Sequence, residues 1–450
     1  MTPHTLLVIA YFFPPLGGGG VQRTVKFLKY LRPLGWRAEV ITVRAAKYWA
    51  LDPALAAEVP ADTVVHRTFA LTGPDLLTHG RAGAAGIRST AAFRRLRRWS
   101  SLFLVPDAYV GWFPFALARA RARMERGDVD VMLTTSSPDS THLVGLVLRE
   151  RLPVPWVADF RDPWVRRLTF QAPTAWHRRL HLWLERRVLE RADRVLVTNK
   201  ATRDDFLARH PQLPDGRFAV IPNGYDPEDL AVMRHFSRDS SRDSSLDSGR
   251  DRHPPAPGLI LVHTGLLSGR RTLAPVVEAM ARLFAERPEL AARLRLRQVG
   301  PRESVNDDLV SMGGLAGNVT FVPPVAHREV LAEMAGAGAL LLLEAGEPEG
   351  SLITPGKLFE YLASRRPILA VVPPGPAADL VRATGAGEVV APQDPAQLAA
   401  VLGRWLAEGP PPSRVREEDL APYARPALAA RLGALLDELA SASRAGTRPS

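Results

Sequence analysis

Lys357 and Glu360 stand three residues apart in the run T-P-G-K-L-F-E-Y-L-A-S-R-R-P-I-L, Thr354 to Leu369. The apolar run Ala339 to Glu344 precedes them and reads as a buried strand. Pro355-Gly356 then turns the chain into a helix with Lys357 in its first turn and Glu360 in the next. Unpaired N–H groups and the positive end of the peptide dipole make a helix N-terminus a seat for phosphate. The Lys357 ammonium adds a point charge there. Glu360 falls on the same helix face, where a carboxylate accepts hydrogen bonds from ribose hydroxyls. A phosphate seat beside a sugar seat describes a site for a nucleotide or nucleotide sugar, built from Thr354, Gly356, Lys357, Leu358 and Glu360.

Further candidates lie at other strand ends. His263-Thr264-Gly265 closes a strand, and Arg270-Arg271 follow before a helix, where a guanidinium can clamp a diphosphate. In the first half, Leu6–Ala10 leads into Gly17 to Gly20 and a helix carrying Arg23. Glycines there let backbone N–H groups approach an anion. Gly18, Gly19 and Arg23, with Ser136 and Arg161 at later strand ends, form a candidate site. Asp159 and Asp162 flank Arg161 in A-D-F-R-D-P-W, and His142 follows the strand that ends in Ser136-Ser137. These three are the catalytic candidates, against the plainer readings of Arg–Asp pairing and a structural histidine. Gly80 to Gly86 has no strand before it and reads as a loop.

The elements that must position these residues alternate. Strand-like runs at Leu6–Ala10, Ala38–Val43, Val129–Thr135, Trp156–Phe160 and Arg194–Thr198 are separated by helical stretches. A second series covers Leu259–His263, Leu294–Val299, Val319–Val322, Leu340–Leu343, Ile368–Val372 and Glu388–Ala391. Two such series in 450 residues predict an α/β chain of two Rossmann-like domains with parallel sheets. The expected boundaries are 1–225, a linker at 226–257, a second domain at 258–425, and a C-terminal helix and tail at 426–450. Residues 237–253 hold a low-complexity run, S-R-D-S-S-R-D-S-S-L-D-S-G-R-D-R, that reads as a disordered insertion.

Composition narrows the classes. Zero cysteines exclude disulfides and thiolate chemistry and make the cytosol the default compartment. No apolar stretch reaches the roughly 18 residues of a spanning helix, and a secretory signal is not expected at Leu6–Phe13. The net charge of +11 is carried mostly by arginine, since lysine occurs only at 26, 29, 47, 200 and 357. Residues 88–113 mix arginines with aromatics, which suits either an anionic bilayer surface or an ordinary packed helix. No nucleic-acid-binding module surrounds them.

Taken in order, several of these pieces resemble the retaining GT4-type glycosyltransferases of the GT-B fold with a GT4-like N-terminal domain. They are Y-F-F-P-P-L-G-G-G-G-V-Q-R from Tyr11, G-W-R-A-E-V-I-T from Gly35, V-P-D from Val105 and D-F-R-D-P-W from Asp159. V-I-P-N-G-Y-D from Val220, H-T-G from His263 and K-L-F-E-Y-L-A from Lys357 complete the series. The resemblance implies two Rossmann-like domains facing across a cleft bordered by Gly18, Gly19, Arg23, Ser136 and Arg161, with the second holding the nucleotide sugar. It implies Glu360 on the ribose, Arg270 or Arg271 on the diphosphate, and no metal or other cofactor. A UDP- or GDP-type donor would pass its sugar, with retention, to a saccharide, lipid-linked or small-molecule acceptor at the inner face of the membrane or in the cytosol. A sugar-nucleotide 2-epimerase and a non-catalytic sugar-nucleotide scaffold are the alternatives. The chain departs from the family at Leu352, where a first glutamate is often found. Glu347 and Glu349 lie near enough in sequence to substitute for it.

Overall fold

The computed structural model describes residues 3–44, 52–71, 102–167, 170–239, 258–346 and 351–446. The Gly80–Gly86 stretch, most of 88–113, residues 240–253 of the insertion, Glu347 and Glu349 lie outside them. The chain forms two compact units, 1–222 with 425–450, and 223–424.

The first unit is built on β1 (His4–Ile9), β2 (Trp36–Val43), β3 (Val64–Thr68), β4 (Val131–Ser136), β5 (Trp156–Phe160), β6 (Arg194–Val197) and β7 (Phe218–Val220). They form one sheet in the order β3-β2-β1-β4-β5-β6-β7, and every pair is parallel. Strands covered on both faces read as continuous apolar runs rather than alternating ones. Accordingly, β4 and β5 are buried at every position. The expected strands of this half are present. The edge strands β3 and β7 are additions the apolar pattern did not predict, the first because it is half-exposed and the second because it has three residues.

The second unit contains β8 (Leu259–Thr264), β9 (Leu294–Val299), β10 (Val319–Val322), β11 (Ala339–Leu343), β12 (Ile368–Val371) and β13 (Gly387–Val390). Its order is β10-β9-β8-β11-β12-β13, again all parallel. Chain direction across the sheet reverses between β8 and β11, and ligands of such sheets sit outside the strand ends at that point. The segment that follows β11 is the one carrying Lys357.

Two expected segments are corrected. Pro227–Asp239, assigned to the linker, is a helix of the second unit. Its Leu230 and Met233 pack with Leu331 and Met334 of the His327–Gly336 helix. The C-terminal helix, Arg425–Arg444, belongs to the first unit rather than standing apart. Its Leu428, Leu432, Leu436 and Leu439 join Val21, Val25 and Leu28 in one apolar cluster. Asp437 accepts a hydrogen bond from Trp36 Nε1 at 2.9 Å.

Glycine inside the Ser140–Arg151 helix has a packing cause. A Cβ on Gly145 would lie 2.3 Å from Trp156 Cε2, and that indole is fully buried with its Nε1 bonded to Thr134 Oγ1 at 2.9 Å. Glycine to alanine in a helix ordinarily gains up to about 1 kcal/mol. Gly145→Ala is expected instead to destabilise the chain by about 1–3 kcal/mol through overpacking. Urea unfolding monitored by tryptophan fluorescence measures the sign, and a gain in stability would contradict the packing.

Candidate functional site

At the carboxyl end of β8 the chain turns at Gly265, whose φ is 104°. Any side chain there would strain the backbone, and a Cβ would come within 3.1 Å of Lys357 Nζ. The Gly356–Ser364 helix begins beside this turn, with Pro355 at its N-cap and no side chain capping the first turn. Tyr361 fixes the helix to the strand. Its hydroxyl accepts the Thr264 N–H at 2.9 Å and lies 3.1 Å from Thr264 Oγ1. Burial pushes the Tyr361 phenol up to about 12, so it stays protonated.

Lys357 reaches back over this turn. Its Nζ donates to Thr264 O at 2.5 Å and lies 3.0 Å from His263 Nε2. Burial, and after it the Arg271 guanidinium, lower its pKa to about 7 against the opposing carboxylates of Glu344 and Glu360. Arg271 donates through Nε and Nη2 to Glu344 Oε2, at 3.1 and 2.5 Å. Arg270 is exposed in the same loop.

Glu360 is half-buried on the next turn, with His327 Nε2 at 3.9 Å; the same nitrogen is 3.3 Å from Asp229 Oδ2. Donor atoms of Asp229, His327 and Glu360 fall within 4.8 Å of one another, grouped around that imidazole. Thr354 is 7% exposed and its Oγ1 has no partner among the described residues. The structure thus brings Gly265, Arg270, Arg271, Thr354, Gly356, Lys357 and Glu360 into one unit, in the segments that follow its two central strands, β8 and β11. Leu358 differs: its side chain is fully buried in the core and its N–H bonds to Pro355 O. Leu352, at the position of the family's first glutamate, is half-buried.

The first unit gives its candidates other work. Arg23, expected to border a cleft, is 1% exposed and locked. It makes a two-pronged pair with Asp159 at 2.9 and 3.2 Å and donates to Ile221 O at 2.9 Å and Pro222 O at 2.8 Å. Asp159 also accepts from Thr135 Oγ1 at 2.9 Å. A carboxylate so paired and 2% exposed is a structural anchor, which corrects its place among the catalytic candidates.

His142 is corrected likewise: fully buried, stacked 4.4 Å from the Phe160 ring, and bonded to Thr134 Oγ1 at 2.7 Å. Burial pushes its pKa down to about 3. Ser136 is 1% exposed. Arg161 donates to the carbonyls of Ser136 and Ser137, the latter at 2.9 Å. A Cβ on Gly20 would overlap its guanidinium, which explains part of the glycine run. Gly18 has φ 113° at the start of the helix, and Gly19 is its first residue. Asp162 is half-buried beyond β5. Asp107 of the V-P-D motif caps the Ser140–Arg151 helix, accepting Ser140 N–H at 2.8 Å and Ser140 Oγ at 2.9 Å.

Gln298, Glu344, Tyr361 and His327 carry no assigned role in the sequence reading, and His263 enters it only as the first residue of the strand-closing H-T-G. A signal existed for two of them: Gln298 interrupts a buried strand, and Glu344 directly follows one.

Two doubly wound parallel units, the second with a basic group and a carboxylate at its switch point, define an α/β protein of the GT-B class. Residues 17–229 match the family model "Glycosyltransferase Family 4", and 259–408 match "Glycosyl transferases group 1". The chain belongs to the GT4-type glycosyltransferases. A D-inositol 3-phosphate glycosyltransferase of Geodermatophilus obscurus is 28% identical over 311 residues, 66% of this chain and 63% of that protein. One from Streptomyces scabiei is also 28% identical, over 51% of this chain and 50% of its own length. The chain therefore spans less than two thirds of these relatives.

Among solved structures, sucrose-phosphate synthase from Thermosynechococcus elongatus matches with a TM-score of 0.70 at 18% identity, covering 98% of this chain and all of that one. HepE from Anabaena, in complex with UDP, has a TM-score of 0.58 at 14% identity, over 98% and 99% of the two chains. Both likenesses concern the fold.

The Lys357 environment sets a pH dependence. Lysine in the unfolded chain titrates near 10.4. Between about pH 7 and that value the unfolded chain holds a proton that the folded chain lacks, so stability rises with pH across the window. Below pH 7 the ammonium is charged in both states and its burial penalty is constant. Lys357→Met removes the slope. The stability of the variant minus that of the wild type is expected to narrow steadily from pH 7 to 10 in urea titrations. A pH-independent difference would contradict the placement.

Proposed function

We propose that this chain transfers a glycosyl group from a nucleotide-sugar donor to a saccharide, lipid-linked or small-molecule acceptor. One observation carries the reading: Lys357 and Glu360 lie on one helix face at the switch point of a parallel sheet. The family assignment supports it. Lys357, the uncapped helix start and the Arg270-Arg271 loop supply positive charge for a leaving diphosphate. Glu360 supplies acceptors for the ribose hydroxyls. Charge from side chains and a helix end suits transfer without a metal, with the leaving phosphate assisting attack from its own face and configuration retained. A UDP- or GDP-type donor is part of the proposal.

Unfolding with UDP, GDP, ADP and their sugar conjugates tests it. A ligand at 100 times its dissociation constant stabilises the folded state by about 2.7 kcal/mol. One nucleotide class is expected to give this shift, and Glu360→Ala to lose most of it. Conversion of a UDP- or GDP-sugar to its epimer without acceptor would favour the 2-epimerase; binding without turnover on any acceptor would favour a scaffold. No shift with any nucleotide would overturn the donor seat.

A contact with an anionic bilayer at the inner face of the membrane is the second part of the proposal. No described helix is long and apolar enough to cross a membrane. The Ala175–Arg191 helix supports surface contact instead. Trp176 and Trp183 are 63% and 55% exposed, and Arg179 and Arg186, also exposed, share their stripe at helical spacing. His177 Nε2, 3.1 Å from Leu102 O, draws the Leu102-Phe103 segment alongside, and Phe103 is 78% exposed. Aromatic rings among arginines on one exposed face suit an acidic headgroup layer. Co-sedimentation with phosphatidylglycerol vesicles is expected, with little on phosphatidylcholine, and W176A/W183A should lower it several-fold. Equal partition onto both lipids, or none, would contradict it.

A further inference from the structure

Five polar groups at the donor seat, Gly265 O, Gln298, His263, Lys357 and Thr264 O, form a chain whose hydrogens can be assigned from geometry. Gln298 Nε2 donates to Gly265 O at 2.8 Å, which orients the amide and turns its Oε1 to His263 Nδ1. An amide oxygen only accepts, so His263 carries its proton on Nδ1. His263 Nε2 is then a bare acceptor, and it faces Lys357 Nζ at 3.0 Å. Thr264 O, at 2.5 Å from the same Nζ, is also only an acceptor. Two N–H groups of the lysine are committed to these two acceptors. Among the described residues nothing takes its third valence, which holds a lone pair in the amine and an N–H in the ammonium.

We propose that binding of a nucleoside diphosphate draws one proton from solvent onto Lys357, and that His263, its tautomer set by Gln298, is the residue that positions the lysine for it. This rests on the donor seat proposed above. A phosphate oxygen arriving at the third valence is repelled by a lone pair and held by an N–H. The proton therefore passes from water to Nζ as the ligand seats, and no bond other than N–H forms. The charged groups facing Nζ are Arg271, from the loop after β8, Glu344, after β11, and Glu360, on the lysine's own helix. Arg271 opposes the ammonium and the two carboxylates favour it, a balance that an added diphosphate tips. Burial holds the His263 pKa well below the usual imidazole range, and the lysine, once charged, pushes it the same way, so its Nε2 remains an acceptor throughout. Protonated His263 would present an N–H to the lysine and push it away.

The test is calorimetric titration of the full chain with UDP at pH 8, in buffers of different ionisation enthalpy. A phosphate's second ionisation, with pKa about 6, is complete there, so the ligand contributes no proton of its own. Uptake approaching one proton per site is expected, with the dissociation constant rising toward tenfold per pH unit above pH 8. K357R carries a permanent charge and should bind with no uptake. H263Q keeps an acceptor facing Nζ and should retain uptake. H263L removes the acceptor and should weaken binding about tenfold at pH 8. UDP that binds the wild type without proton exchange overturns the proposal and leaves the donor seat standing. Absence of binding by UDP, GDP and ADP overturns both.

Discussion

The second unit is organised around one lysine nitrogen, Lys357 Nζ, held between two acceptors at the end of a buried strand. Lys357 reaches Thr264 O and His263 Nε2 only because Gly265 turns the chain without a side chain and Tyr361 ties the helix to the strand. Burying a cation there is unfavourable unless it is compensated. The Thr264 carbonyl, the His263 imidazole and the nearby carboxylates Glu344 and Glu360 supply part of that compensation.

Two arginine–carboxylate pairs show how the same chemistry serves different ends. Arg23–Asp159 is almost wholly excluded from solvent, and two further guanidinium N–H groups donate to the carbonyls of Ile221 and Pro222. It ties the first helix, β5 and the chain after β7 together, and removal of either partner would leave a buried charge. Arg271–Glu344 keeps its carboxylate buried while the Arg271 side chain is 24% exposed. That guanidinium remains within reach of solvent, beside the lysine it helps to discharge. The first pair is a closed structural joint; the second borders a site.

Much of this was legible in the sequence where local pattern and tertiary demand coincide. Central parallel strands must be apolar on both faces, so β4, β5, β11 and β12 stand out as short runs. A proline-glycine turn into an amphipathic helix places Lys357 and Glu360 on one face without further information. Edge strands face weaker demands, and β3 and β7 escaped. Pro227–Asp239 abuts the charged low-complexity run and reads as linker, although its Leu230 and Met233 belong to a packed face. Burial was the largest gap. Nothing local distinguishes the fully buried His142 from a histidine at a strand end open to substrate. Nor does anything local show that Arg23 and Asp159, 136 residues apart, consume each other. His263, Gln298 and His327 acquire meaning only from partners on other strands and helices.

The most direct test of the donor seat is a crystal structure of the full chain with UDP. The diphosphate is predicted to lie against Lys357 Nζ and the first turn of the Gly356–Ser364 helix, with the ribose hydroxyls on Glu360. A nucleotide bound elsewhere, with Lys357 still engaged only by Thr264 and His263, would contradict the assignment of this helix as the donor seat.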